Sequence, residues 1–325
     1  MRRRDFITLA GGAVLWSAGA RAQQAPRIGY LSAGTANTGY TRLTLAGLEH
    51  GLTENGMTAG RDYMLETRFA EGAYDRFPEL ARGLQQAKVS IILPSTIAAV
   101  RAAQQLGSPI PVVMPGINDP VGTGLIASLA RPGGHTTGIA TLIEDTTPKL
   151  LEFIGVLVPR ANMMAVLYNP ANPSNLPLLR RLRSETSARG ISLSEFALKT
   201  PADLESIFAS LTAHRPDALQ IIPDAFVADQ SDRIAMFALS QSLPTFGPAT
   251  DFAQLDFLLS YGPSFRELHR RAAYYVKRIF DGTNLGDLPV EQATRIGLVI
   301  NLKTANALGL TMPASLLAQA EEVVE

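Results

Sequence analysis

Short polar side chains gather where apolar runs of this sequence end: Ser32 and Thr35, Ser95 and Thr96, Asn118 and Asp119, Asn169 and Asn172, Asp224, and Thr250 with Asp251. Hydroxyls, amides and carboxylates of this kind suit hydrogen bonding to a small polar ligand, although the same residue types cap helix starts for local reasons. Covalent chemistry has no comparable foothold. There is no G-x-x-x-x-G-K-S/T loop, no G-x-G-x-x-G after the first apolar run, no H-E-x-x-H and no G-x-S-x-G, and there is no Cys to serve as nucleophile or thiolate ligand. His50, His135, His214 and His269 are dispersed and are read as surface or capping residues, with only His135 near a loop of interest. Arg180-Arg181-Leu182-Arg183 falls on an amphipathic pattern and is read as a solvated helix face. No catalytic residue, metal ligand or cofactor is expected.

The elements that must position these side chains repeat one pattern. Arg27 to Leu31 is a short apolar run, followed by a small polar loop and by Leu43, Leu45, Ala46, Leu48 and Leu52 at helical spacing up to Asn55-Gly56. Strand then helix recurs at 63–69 and 75–87, at 89–93 and 96–106, and at 110–114 with a helix near 122–130, before a strand at 137–142. The pattern restarts after a helix at 147–158, with strands at 163–168, 191–197 and 218–222 and helices at 175–189, 201–213 and 226–239. Strands apolar on both faces and alternating with helices predict an α/β chain of two similar Rossmann-like halves, each a parallel sheet covered on both sides. Ligand loops then lie at the carboxyl ends of the strands, and two such halves facing one another make a cleft. The segments 244–261, 263–280 and 295–301 exceed what the second half needs, so part of them should return to the first.

Length and composition agree: 325 residues with 46% hydrophobic and 18% charged content suit two globular domains, and a net charge of zero lacks the basic footprint of a nucleic-acid binder. Residues 1–22 have the form of a twin-arginine export signal, with Arg3-Arg4-Asp5-Phe6-Ile7, a weakly apolar stretch to Ala20 and a cleavage site after Ala22. Removing that segment leaves 25 basic against 28 acidic residues. No later apolar run approaches the ~20 residues of a membrane span. With no lipidatable Cys, the expected location is the periplasm, as a free protein and not a lipoprotein.

Five stretches carry a family resemblance: Arg27-Ile28-Gly29-Tyr30-Leu31, Asp119-Pro120-Val121-Gly122, Leu129-Ala130-Arg131-Pro132-Gly133-Gly134, Leu288-Pro289-Val290-Glu291-Gln292 and Asn301-Leu302-Lys303-Thr304-Ala305. Together they resemble the ABC transporter substrate-binding family related to tryptophan and tyrosine uptake, with the type I periplasmic binding protein fold. The resemblance implies two lobes joined by three crossovers: residues 23–143 with about 249–292, and residues 144–248 with about 293–325. It implies a monomer that captures a small solute, an amino acid or related carboxylate, by hinge closure and delivers it to a membrane permease, with no nucleic-acid partner. The ligand carboxylate would lie on Ser95 and Thr96, where a helix start favours an anion on physical grounds as well. Its ammonium would need Asp119, Asp224 or Asp251, and Tyr30, Tyr40, Tyr74 or Phe226 would cover an apolar side chain. A ligand-sensing subunit and an enzyme using the same cleft are the alternatives.

Overall fold

The run Arg-Ile-Gly-Tyr-Leu-Ser has no polar face, and a strand of that kind needs neighbours on every side. As β1 (Arg27–Ser32) it is buried from Ile28 onward and sits between β2 (Met64–Phe69) and β3 (Ile91–Pro94). These contacts belong to a computed structural model that describes residues 25–325. The expected export signal at 1–22 lies outside the described residues.

The first sheet continues through β4 (Val112–Asn118) and β5 (Thr136–Thr141), and its six strands run parallel. Helices α1 (Gly39–Glu54), α2 (Phe77–Gln86) and α3 (Ile97–Gln104) connect them. The restart is as expected. Helix α4 (Thr147–Leu157) leads to β6 (Met163–Tyr168), α5 (Asn175–Ala188), β7 (Ser192–Ala197), α6 (Asp203–His214) and β8 (Ala218–Ile221). In each sheet the order turns at its first strand: β1 lies between β2 and β3, and β6 lies between β7 and β8. Turning points of this kind open a crevice at the strand ends.

Three expected segments differ. Residues 122–130 form turns instead of a helix, because Gly124, Gly133 and Gly134 have positive φ and Pro120 and Pro132 bracket them. The helix expected at 226–239 is split at Asp229 and Gln230 into α7 (Ala225–Ala228) and α8 (Ser231–Ser240). The return to the first half begins near residue 263 and not near 249. Both β9 (Thr245–Gly247) and β10 (Leu259–Gly262) extend the second sheet, and Thr250–Leu255 between them is a 3-10 turn.

Helix α9 (Phe265–Phe280) then crosses to the first sheet and packs on α1 and β4. Gly47 and Gly51 make this packing close: a Cβ on them would lie 2.3 Å from the Arg266 carbonyl and 2.1 Å from the Arg270 carbonyl. Residues Glu291–Gln292, β11, join the first sheet beside β5. The chain returns as β12 (Gly297–Asn301), the short helices α10 (Leu302–Ala307) and α11 (Ala314–Leu317), and β13 (Glu322–Val324). Strand β12 is antiparallel to β10, with Gly297 opposite Gly262, because the chain re-enters the second sheet at the end where it left. Residues Thr141 to Thr146, Tyr261 to Pro263 and Gln292 to Ile296 line one small cavity, so the three passages between sheets run side by side. One apolar cluster spans both halves, from Leu31, Ile92 and Val112 to Leu167, Leu219 and Phe226. Among the described residues no helix is long and apolar enough to cross a membrane.

Candidate functional site

The strand-end loops of the two sheets meet in a cleft lined by Ser95, Thr96, Asn118, Asn172 and Asp224, with Tyr30, Tyr40, Phe252, Phe265 and His269 along its aromatic wall. Counting its mouth, it holds about 680 Å³ of free space.

On the first half, Thr96 is extended and its hydroxyl caps α3 by accepting the Ala99 N–H at 3.2 Å. Ser95 accepts the Ala33 N–H at 2.9 Å, which fixes its oxygen at the cleft and leaves its own O–H to donate. Ser32 turns back to accept the Gly34 N–H at 3.0 Å and is buried. Asn118 faces the cleft but also braces the first passage between halves, accepting from Ile143 N–H at 2.9 Å and donating to the Glu144 carboxylate at 3.0 and 3.1 Å.

On the second half the site converges on Asp224. Its side chain caps α7 by accepting the Phe226 and Val227 N–H groups at 3.0 Å each. Asn169 and Asn172 donate their amides to it at 3.3 and 2.8 Å, and both asparagines are buried. The Tyr74 hydroxyl reaches it from the first half. Burial and the Asp224 charge push the Tyr74 phenol well above its ordinary range, so it donates.

The other two candidate carboxylates lie elsewhere. Asp119, at φ 40°, accepts the Gly122 N–H at 2.8 Å in its own loop and does not line the cleft. Asp251 is buried at the start of α9, accepting from Ser264 Oγ at 2.9 Å and from the Phe265 N–H at 2.5 Å. Burial raises its carboxyl to about 6 against these hydrogen bonds. Thr250 faces the outer side of the passages with Asp251. The structure thus groups five of the expected residues in the cleft, sets Ser32 and Asn169 directly behind it, and leaves Asp119, Thr250 and Asp251 outside. Of the expected aromatic covers, Tyr30 and Tyr40 line the cleft, whereas Phe226 is fully buried, its ring 3.0 Å from where a Gly72 Cβ would stand.

Two residues carry more than their sequence context suggested. Asp229, from the break between α7 and α8, reaches across to the start of α1, where it accepts from the Thr35 N–H, from Thr38 Oγ1 at 2.5 Å and from Thr41 Oγ1 at 3.2 Å. The Thr35 backbone N–H is thereby engaged by the opposite half, and Thr35 is not among the residues lining the cleft. Burial raises the Asp229 carboxyl to about 6; the threonine hydrogen bonds oppose that shift and the Asp224 charge adds to it. His269, read as a surface or capping residue, is 3% exposed and stands in the cleft wall 6.0 Å from the Tyr30 ring. The only sequence signals were a carboxylate beside the apolar Ala225–Ala228 run and the fall of His269 on the stripe shared with Ala272, Ala273 and Val276.

Comparison with known proteins places the chain. Residues 40–324 match the family model described as ABC transporter substrate binding protein. A curated relative named tyrosine-binding protein, from Clostridioides difficile (strain R20291), is 22% identical over 259 residues, covering 80% of this chain and 74% of that one. A solved domain from Streptococcus pneumonia in complex with L-Trp is 22% identical with a TM-score of 0.79, covering 92% of this chain and 100% of that one. A substrate binding protein with adhesive properties from Clostridium difficile, solved ligand-free and open, is 20% identical with a TM-score of 0.59, covering 93% and 99%. The fold is that of the type I periplasmic binding proteins.

Proposed function

The chain belongs to the ABC transporter substrate-binding protein family, and from that membership and the shape of its cleft we propose that it captures a small solute, an amino acid with an aromatic side chain favoured, for import. The observation that carries this reading is the set of hydrogen bonds that close one half over the other: Asp229 onto the start of α1, and Tyr74 onto Asp224. They lie on opposing walls of a cleft whose remaining groups suit a zwitterion. Similarity to the tryptophan complex over the open, ligand-free relative, at comparable identity, supports reading this arrangement as the closed state.

In this reading the lobes are residues 25–142 with 263–293, and residues 143–262 with 294–325. The ligand carboxylate takes the start of α3, where first-turn N–H groups point outward and Ser95 Oγ–H donates. The ammonium goes to Asp224. That carboxylate already has five donors, so an ammonium reaching it replaces one of them rather than adding to the set. The aromatic wall of Tyr30, Tyr40, Phe252 and Phe265 takes the side chain, the ring pairs of Tyr40 with Phe252 and Phe265 at about 6 Å packing into a continuous apolar face. Binding is non-covalent: solute docks on an open lobe, the other closes over it, and the closed surface is presented to a membrane permease. Together with the export-signal pattern of 1–22, the family points to a free protein of the periplasm.

Mass spectrometry of material released from natively purified protein identifies the solute. Small-angle scattering then tests closure. Compaction on adding that solute is expected; an unchanged radius of gyration at saturation would overturn the hinge reading.

A further inference from the structure

His269 has a hydrogen-bonding site that the protein leaves unused. Its Nδ1 lies 2.7 Å from the Phe265 carbonyl oxygen, one turn back in α9. A carbonyl only accepts, so Nδ1 carries the proton and donates. Burial lowers the imidazole to about 4, so near neutral pH the ring is uncharged and Nε2 is a bare acceptor. That atom is buried and has no partner among the described residues. The nearby Tyr30 phenol does not supply one: its hydroxyl lies 3.5 Å from Thr44 Oγ1 and makes no hydrogen bond to Nε2. A buried acceptor is expected to have a donor, and the cleft that His269 lines is the place from which one can come.

We propose that Nε2 of His269 accepts a hydrogen bond from an N–H or O–H on the rim of an aromatic ligand side chain, and so selects donor-bearing aromatic solutes over their donorless analogues. The proposal rests on the amino-acid reading above and deepens it. Rings enclose the wall and exclude water, while a single polar atom set into that wall fixes which ring edge fits. A site built around a ligand donor rejects the analogue that lacks it, because binding then leaves the acceptor unpaired in the closed cleft.

The test is isothermal titration with two matched pairs, L-tyrosine against L-phenylalanine and L-tryptophan against 1-methyl-L-tryptophan, on the wild type and on His269→Phe. In the wild type the donor-bearing member of at least one pair should bind about tenfold or more tighter. In His269→Phe that preference should vanish, with the affinity of the donorless member kept or improved. In case the variant does not fold, NMR of wild-type protein with isotope-labelled histidine gives a second readout: the Nε2 resonance should move on saturation with the donor-bearing ligand and not with its analogue. Equal affinities within each pair, a preference that survives the substitution, or an unmoved Nε2 resonance would overturn the role of His269 alone. Failure of all four compounds to bind would remove the aromatic amino-acid reading and this proposal with it.

Discussion

If Asp229 latches the halves together, ligand affinity must depend on pH, and in a direction opposite to the usual behaviour of an aspartate. In the closed arrangement burial raises this carboxyl from 3.8 to about 6. In an open arrangement it faces water and returns toward the lower value. The closed form therefore binds the proton more tightly. Protonation favours closure, so the stabilisation is fully present below about 4 and is lost as pH rises through about 6. With those two values, lowering the pH from about 7 to about 5 favours closure by about tenfold, or about 1.4 kcal/mol. Solute that binds only the closed form inherits that factor in its apparent Kd. The ligand's own carboxylate and ammonium do not titrate in this window. Asp251, also raised to about 6, accepts from Ser264 and Phe265 at the passage into α9, and a parallel titration of Asp251→Asn separates its share. The assay is titration calorimetry at the two pH values in buffers of different ionisation enthalpy. Affinity should rise about tenfold at the lower pH, with uptake of close to one proton per ligand bound, and Asp229→Ala should abolish both. An affinity that is flat or falls on acidification, or a slope unchanged in Asp229→Ala, would refute the latch.

Further outcomes follow from the same geometry. Asp224→Ala should weaken amino-acid binding by about tenfold or more, since it removes the ammonium partner and leaves Asn169, Asn172 and two N–H groups unpaired, whereas Asp119→Ala should leave the titration isotherm unchanged. Gly51→Ala forces a Cβ to 2.1 Å from the Arg270 carbonyl and should cost about 1–3 kcal/mol, read as a Tm several degrees lower; an unchanged Tm would show that α1 and α9 separate freely. Asp251 is buried with its carboxyl raised to about 6, so its contribution to folding is lost as pH rises through that value; Tm should increase on acidification from about pH 7 to about pH 5, and Asp251→Asn should reduce that increase.

What was legible in the sequence and what was not divides along the range of the interactions. Strands such as 163–168 and the restart after 147 announce themselves through apolar periodicity, which is local, and they fall where expected. The side chains of Thr96 and Asp224 were legible for the same reason, because each caps the helix that begins beside it and only secondarily faces the cleft. Asp119 and Asp251 satisfy the same strand-end criterion and fail, since a capping carboxylate and a ligand carboxylate have one sequence signature and are told apart only by which way the loop faces. Direction of β12 is likewise set by where the chain re-enters the sheet, which no periodicity encodes. Asp229 and Thr35 are 194 residues apart, and Tyr74 and Asp224 are 150 apart. Both contacts exist only while the two halves face each other. Residues whose partners lie across the cleft answer to the arrangement of the two halves and not to the element that carries them. Asp229 shows the consequence: it lies where the helix expected at 226–239 is interrupted, and its carboxylate there accepts from Thr35, Thr38 and Thr41 of the other half.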